Sequence, residues 1–110
     1  MAHQTLLSSA SNFFESMGYT VEYDMTYEGF SGLVHKFDLL VRKGKEEHVV
    51  LVMDWKRTVG IDVVIKAEKA AEDVDFPHPI LIANRFSEHS KAYSNKKRIR
   101  LMTGNELLKY

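Results

Sequence analysis

The chain has no cysteine. That excludes a disulfide framework, a thiolate zinc site and a cysteine nucleophile, and it is compatible with a reducing compartment. Any metal would have to be held by oxygen or imidazole ligands. There is no excess of either charge, with 15 Lys+Arg against 15 Asp+Glu. Net electrostatics therefore lend no support to nucleic-acid binding, which would need a local basic patch. No apolar run approaches the roughly 20 residues that span a bilayer, and the N-terminus lacks the basic segment and apolar core of a signal peptide. A cytoplasmic protein without a membrane partner is expected. Repeats, linkers and low-complexity segments are also missing. What remains is the composition of an ordinary globular protein, 45% hydrophobic and 27% charged over 110 residues. That length supports one core and not two, so residues 1–110 read as a single domain.

The most informative stretch is Val49-Val50-Leu51-Val52-Met53-Asp54-Trp55-Lys56, an apolar run passing directly into an acid, an aromatic and a base. Apolar on both faces, it reads as a central strand, and alternation along it would put Asp54 and Lys56 on one face. Charges at the end of a buried strand are costly unless paired, hydrogen-bonded or binding a metal. Either they reach solvent at the sheet rim or they form a site.

Around this strand the chain alternates helical and strand-like patterns. Leu6, Leu7, Ala10, Phe13, Phe14 and Met17 fall at helical spacing between about Gln4 and Met17, with Gly18 placed to cap the helix. Tyr19 to Tyr23 alternates as an edge strand, and Tyr27 to Gly32 reads as a loop. Leu33 to Arg42 and Glu47 to Lys56 flank Lys43-Gly44-Lys45-Glu46 as a hairpin. A turn centred near Lys45 would set Arg42 opposite His48, Asp38 opposite Val52 and Lys36 opposite Asp54. Asp38 and Asp54 would then be diagonal neighbours within roughly 7–8 Å, close enough to share a cation. A second amphipathic helix spans Ile61 to Val74 and is stopped at Phe76-Pro77-His78-Pro79. Ile80 to Ala83 is a short strand, Ser87 caps a third helix through Asn95, and Arg98 to Met102 forms a last strand. Thr103 and Glu106 have capping-box spacing for a closing helix from Asn105 to Tyr110.

Asp38 followed sixteen residues later by Asp54-Trp55-Lys56 resembles the PD-(D/E)xK nuclease signature, an acid on one hairpin strand before acid-x-lysine on the next. With Gly18 to Glu22 and the glycine-containing loop before Asp38, the chain is similar to Mrr-like restriction endonucleases and archaeal Holliday junction resolvases. The resemblance implies an α/β, restriction-endonuclease-like fold: a mixed central sheet of order αβββαβαβ with helices on both faces. It also implies a Mg²⁺-dependent, or Mn²⁺-dependent, DNA endonuclease. Asp38, Asp54 and the Trp55 backbone carbonyl would hold the metal, Glu15 would be a further ligand as in some resolvase-like members, and Lys56 would complete the catalytic set with Asp38 and Asp54. Duplex or branched DNA is the implied partner, contacted by Lys36, Lys91, Lys96, Lys97 and Arg98, and cutting two strands implies a homodimer. One departure stands out, since Lys36-Phe37 replace the proline or glycine that often precedes the first acid. Two other readings fit the residues: a nucleic-acid-binding module that has kept the scaffold without turnover, and a protein-interaction domain whose Asp54 is paired with Lys36 in a surface ladder.

Overall fold

The structure, a computed structural model, describes residues 5–108. Gln4, Tyr110 and the other terminal positions expected in the first and last helices lie outside them. Helix α1 (Leu6–Ser16) is capped by Thr5, whose hydroxyl accepts from the Ser8 amide at 3.0 Å. Its helical stripe of Leu6, Ala10, Phe13 and Phe14 is buried. Gly18, at φ +92°, turns the chain out of the helix, a conformation glycine adopts without steric cost. Strands β1 (Thr20–Glu28), β2 (Val34–Lys43) and β3 (Glu46–Met53) form an antiparallel meander. Helix α2 (Ile61–Asp73), strand β4 (Ile80–Ala83), helix α3 (Glu88–Lys97) and strand β5 (Arg100–Thr103) follow, and α4 (Gly104–Leu107) starts at the expected Thr103–Glu106 capping box.

The sheet order is β1-β2-β3-β4-β5, antiparallel up to β3 and parallel from β3 to β5. Helix α1 and Leu107 of α4 pack on one face against Leu39, Val41, Val50, Ile80, Ile82 and Met102. On the other face Val64 and Ala67 of α2, with Tyr93 of α3, cover Met53, Leu81 and Ala83. Alternation explains the partition: neighbours on each parallel strand go to opposite cores, which is why β4 is buried throughout. Each fully buried aliphatic or aromatic side chain here contributes about 1.5–3 kcal/mol. The mixed sheet covered on both faces is the expected architecture.

Three local expectations are corrected. The hairpin turns through Gly44 and Lys45, with φ +62° at Gly44, and pairs Arg42 with Glu47, Val41 with His48 and Leu39 with Val50. A positive φ at the first central residue favours a two-residue turn, one register step from a turn centred on Lys45. Arg42 consequently pairs with Glu47 at 2.6 Å and with Glu22 at 2.9 Å. Strand β1 runs through Glu28 instead of ending at Tyr23, because Tyr27 packs on Phe37 and Phe76 at 6.4 and 5.4 Å between ring centroids. The last strand begins at Arg100, since Arg98 takes a left-handed conformation that ends α3.

The hairpin is also forked. Strands β2 and β3 stay paired only as far as Leu39–Val50, while β1 and β2 continue together to Glu28–Val34 as an arm. At the fork alternation breaks: Phe37 and Leu40, three apart, share the α2-side core, whereas Leu39 and Val41 face α1. Across the ladder Asp24 sits at φ +52°, and Asp24 and Asp38 both drop out of the pairing while the register on either side is unchanged, so both strands turn over together. Asp73 clamps the arm to the end of α2 by accepting from the Ser31 amide at 2.9 Å and the Ser31 hydroxyl at 2.6 Å, and by pairing with His35 Nε2 at 2.7 Å. Gly29 is needed beneath it, because a Cβ there would lie 2.0 Å from Asp73 Oδ2.

Candidate functional site

The parallel ladder determines what meets at the end of β3. Met53 pairs with Ala83 and Ala83 with Thr103, so Asp54, Asn84 and Gly104 follow in a row across the carboxyl ends of three strands. Ligands of open α/β sheets generally bind at such ends. Asp54 is exposed there on the α1 side. Its Oδ2 accepts from the Leu6 amide at the start of α1 at 3.3 Å, and its Oδ1 from Asn84 Nδ2 at 3.4 Å. The same Asn84 nitrogen donates to the Trp55 carbonyl at 3.1 Å. These groups border a cleft of about 440 Å³ lined by Leu6, Ser9, Asp54, Asn84, Gly104, Asn105 and Leu108.

Asp38 approaches from the fork. Where β2 leaves β3 its carboxylate replaces a lost ladder acceptor, Oδ2 taking the Val52 amide at 2.7 Å. Val52 precedes Asp54 by two residues, roughly 6.6 Å along a strand. Under strict alternation the observed register would send Asp38 and Asp54 to opposite faces. Alternation breaks at Asp38 itself: Leu39 faces α1, whereas along the arm His35 and Phe37 face α2, which turns Lys36 to the α1 side. Asp38 shares a hollow with Asp24, Thr26 and Lys36.

The other candidate residues are dispersed. Lys56 lies in a bend after β3 has ended, so strand alternation does not carry to it; it is exposed and forms no ion pair among the described residues. Lys36 is exposed on the arm and is not opposite Asp54, so the ladder pair that would have explained Asp54 as ordinary surface is not formed. Glu15 sits nine residues after Leu6, about 14 Å along α1, and so at the other end of the helix from Asp54. Lys91 pairs with Glu88 at 3.0 Å. Lys96, Lys97 and Arg98 end α3 where it returns to the start of β5, at the opposite end of the sheet from Asp54. A basic surface beside the acids is therefore not made by this segment. Trp55 is half-buried against the α2-side cluster, and Arg57 stacks on its ring at 4.4 Å. Arg57, exposed Arg85 and Asn84 were not singled out by motif or periodicity. Counting Asn84 from the start of the Ile80 strand against Asp54 was the available signal.

Among the described residues no three histidine or carboxylate side chains gather to hold a metal. The donors at the strand end are the Asp54 carboxylate and the Trp55 carbonyl, with the Asp38 carboxylate bonded to Val52 two residues back, all hard oxygens. That set fits Mg²⁺, which uses one or two carboxylates and keeps several waters. Away from the strand end, Ser31 and His35 hold the Asp73 carboxyl below the usual range, and hydrogen bonds from Tyr19 and His48 do the same for Glu46.

A five-stranded mixed sheet forked beside a pair of acids, covered by helices on both faces, is the build of a restriction-endonuclease-like domain. Comparison with protein families matches residues 1–110 to the restriction endonuclease family, the Mrr-type catalytic domain, and the chain belongs to that family. Three solved structures share the fold. A protein of unknown function, AF1548, has a TM-score of 0.84 at 16% identity, with 94% of this chain and 65% of that one covered. Protein VC1899 from Vibrio cholerae has a TM-score of 0.67 at 12% identity, covering 93% and 29%. A repair endonuclease from Pyrococcus abyssi has a TM-score of 0.65 at 14% identity, covering 94% and 48%. The chain thus spans less than two thirds of each of these proteins. No curated protein matches in sequence. None of the described helices is long and apolar enough to cross a membrane.

Proposed function

We propose that the domain is a divalent-metal-dependent endodeoxyribonuclease of the PD-(D/E)xK type. The observation that carries this reading is the meeting of the Asp54 carboxylate and Trp55 carbonyl at the end of β3, with Asp38 anchored to the same strand at the fork. Asp38, Asp54 and the Trp55 carbonyl would hold Mg²⁺ or Mn²⁺. When bound, such a cation polarises a phosphoryl oxygen and lowers the pKa of a water.

The remaining chemistry belongs to the side chains. Asp38 spends one oxygen on the Val52 amide, which fixes the carboxylate and leaves Oδ1 for the site. Lys56 offers an ammonium to the negative charge that builds on the phosphate oxygens during attack. Lys36 on the arm, with Arg57 and Arg85 at the strand ends, provides cations for neighbouring phosphates. Lys91, Lys96, Lys97 and Arg98, farther away, would add to salt-dependent binding without touching the reacting phosphate. One site cuts one strand, so two-strand cleavage of duplex or branched DNA calls for a homodimer.

The test is incubation of the purified protein with supercoiled plasmid, single strands and four-way junctions, with Mg²⁺ or Mn²⁺ and an Asp54→Ala control. Cleavage that requires both the metal and Asp54 supports the mechanism. Cleavage in chelator, or by the Asp54→Ala protein, sinks it. Salt-dependent DNA binding without cleavage would select the non-catalytic module, which Lys36-Phe37 in place of proline or glycine before Asp38 favours.

A further inference from the structure

Asn84 is absent from the acid-x-lysine pattern, yet it is the side chain that joins two of the oxygens assigned to the metal. It follows β4 as Asp54 follows β3, and Ala83 pairs with Met53 in the parallel ladder, so Asn84 stands beside Asp54. Neighbouring strands are about 4.8 Å apart, the reach of a short amide side chain. Both atoms it contacts, Asp54 Oδ1 at 3.4 Å and the Trp55 carbonyl at 3.1 Å, are acceptors only. The amide must therefore present its NH₂ group to them, with its oxygen turned toward Gly104. Gly104 leaves the room: a Cβ there would lie 3.5 Å from Asn84 Oδ1 and 3.3 Å from Leu6 Cδ1.

We infer that Asn84 is a positioning residue for the metal site, holding the Asp54 carboxylate and the Trp55 carbonyl together before a cation arrives. The inference rests on the metal-dependent reading above. The need for such a residue is physical. Trp55 lies past the end of β3, where no ladder fixes its peptide plane, and Asp54 is exposed to water on a rotatable side chain. Two oxygens drawn to one neutral donor converge without the mutual repulsion of two anions, and the donor's hydrogen bonds are long enough to yield to a stronger electrophile. Residues that orient metal ligands in this way typically contribute 10–100-fold to metal affinity.

The experiment titrates Mn²⁺ into the protein and follows free Mn²⁺ by electron paramagnetic resonance, without DNA, for the wild type, Asn84→Ala, Asn84→Gln, Asn84→Leu and Asp54→Ala. Asn84 is exposed, so these proteins are expected to fold, with circular dichroism melting as the check. Asn84→Ala should weaken Mn²⁺ binding by about 10–100-fold. Asn84→Gln, which keeps the donor on a longer stem, should recover part of that loss, whereas Asn84→Leu, which keeps the bulk without the donor, should not; recovery in Asn84→Leu would assign a steric role and overturn the inference. In the metal-free protein the Asn84 side-chain amide resonance should shift in Asp54→Ala. Unchanged or tighter Mn²⁺ binding by Asn84→Ala overturns the positioning role while leaving the metal site in place. A wild type that binds no Mn²⁺ overturns the metal reading itself, and the positioning role with it.

Discussion

The end of β3 borders two hollows of different character, divided by alternation along the strand. On the α1 side Asp54, Asn84 and Gly104 border a polar cleft, whereas Leu51, Met53 and Trp55 face a groove of about 550 Å³ completed by Val63, Ala67 and Ala70 of α2. Adjacent residues therefore serve opposite purposes. Met53 is buried and contributes through area removed from water; Asp54 is exposed and contributes through what it can bind. The groove is the larger volume, but no group in it gathers oxygen ligands in the way Asp54, Trp55 and Asn84 do. In the proposed metal site, chemistry at this strand end follows the convergence of acceptors, not the size of the hollow.

Substitution of the neighbouring pair breaks the comparison most strongly. Met53→Ala should lower unfolding free energy by about 2–5 kcal/mol in urea titrations, the cost of truncating a buried side chain, while the folded protein keeps its affinity for Mn²⁺. Asp54→Ala should do the reverse. Its hydrogen bonds are long and open to water, so stability should change by no more than about 1 kcal/mol while Mn²⁺ binding is lost. Equal loss of metal binding in both proteins would erase the distinction between the two sides.

The arm that walls the groove supplies a weaker, local test. Gly29→Ala would push a Cβ into the Asp73 carboxylate and should speed amide exchange at Phe30 and Ser31, which the clamp holds, with little effect on exchange in β4. Acid should act on the same contacts. Because hydrogen bonds from Ser31, then from His35, depress the Asp73 pKa in the folded protein, the clamp's contribution is complete above about pH 4. It is lost as pH falls through the depressed native value. Arm resonances followed by NMR should loosen there before the sheet unfolds; loosening that began near neutrality would point to another group. The smallest effect is expected at Lys91→Ala, where an exposed pair with Glu88 that lines neither hollow is removed. Its stability should change by no more than about 0.5 kcal/mol, and DNA cleavage should be unaffected at low salt.

Much of this was legible in residue order. Apolar spacing in Leu6, Ala10, Phe13 and Phe14 reads as a helix, and the five apolar residues before Asp54, short and rich in valine, read as a covered strand. The hairpin, the two later helices and the Thr103–Glu106 box are local chemistry of the same kind. Charge was harder to read: Lys91, Lys96, Lys97 and Arg98 form a conspicuous run, but topology carries most of it to the wrong end of the sheet. Glu15 was misplaced for the same reason, since helical periodicity reports a face and not an end.

The acid-x-lysine stretch itself was a strand ending in charge by sequence alone, and periodicity made Asp38 its companion on one face. The register that made them companions is not the one the tertiary structure adopts. The Gly44 turn shifts the register by one residue, which under strict alternation would separate the two acids, and the break in alternation at Asp24 and Asp38 lifts that constraint while Asp38 is anchored to Val52 of the Asp54 strand. Neither is visible in hydrophobic pattern, because a register step and a local backbone turn-over change which residues face each other without changing composition. Asn84 and Gly104 likewise join Asp54 only through the parallel register of β3, β4 and β5, contacts between residues thirty to fifty positions apart. Local preference decided which elements form; long-range pairing decided which of their ends meet.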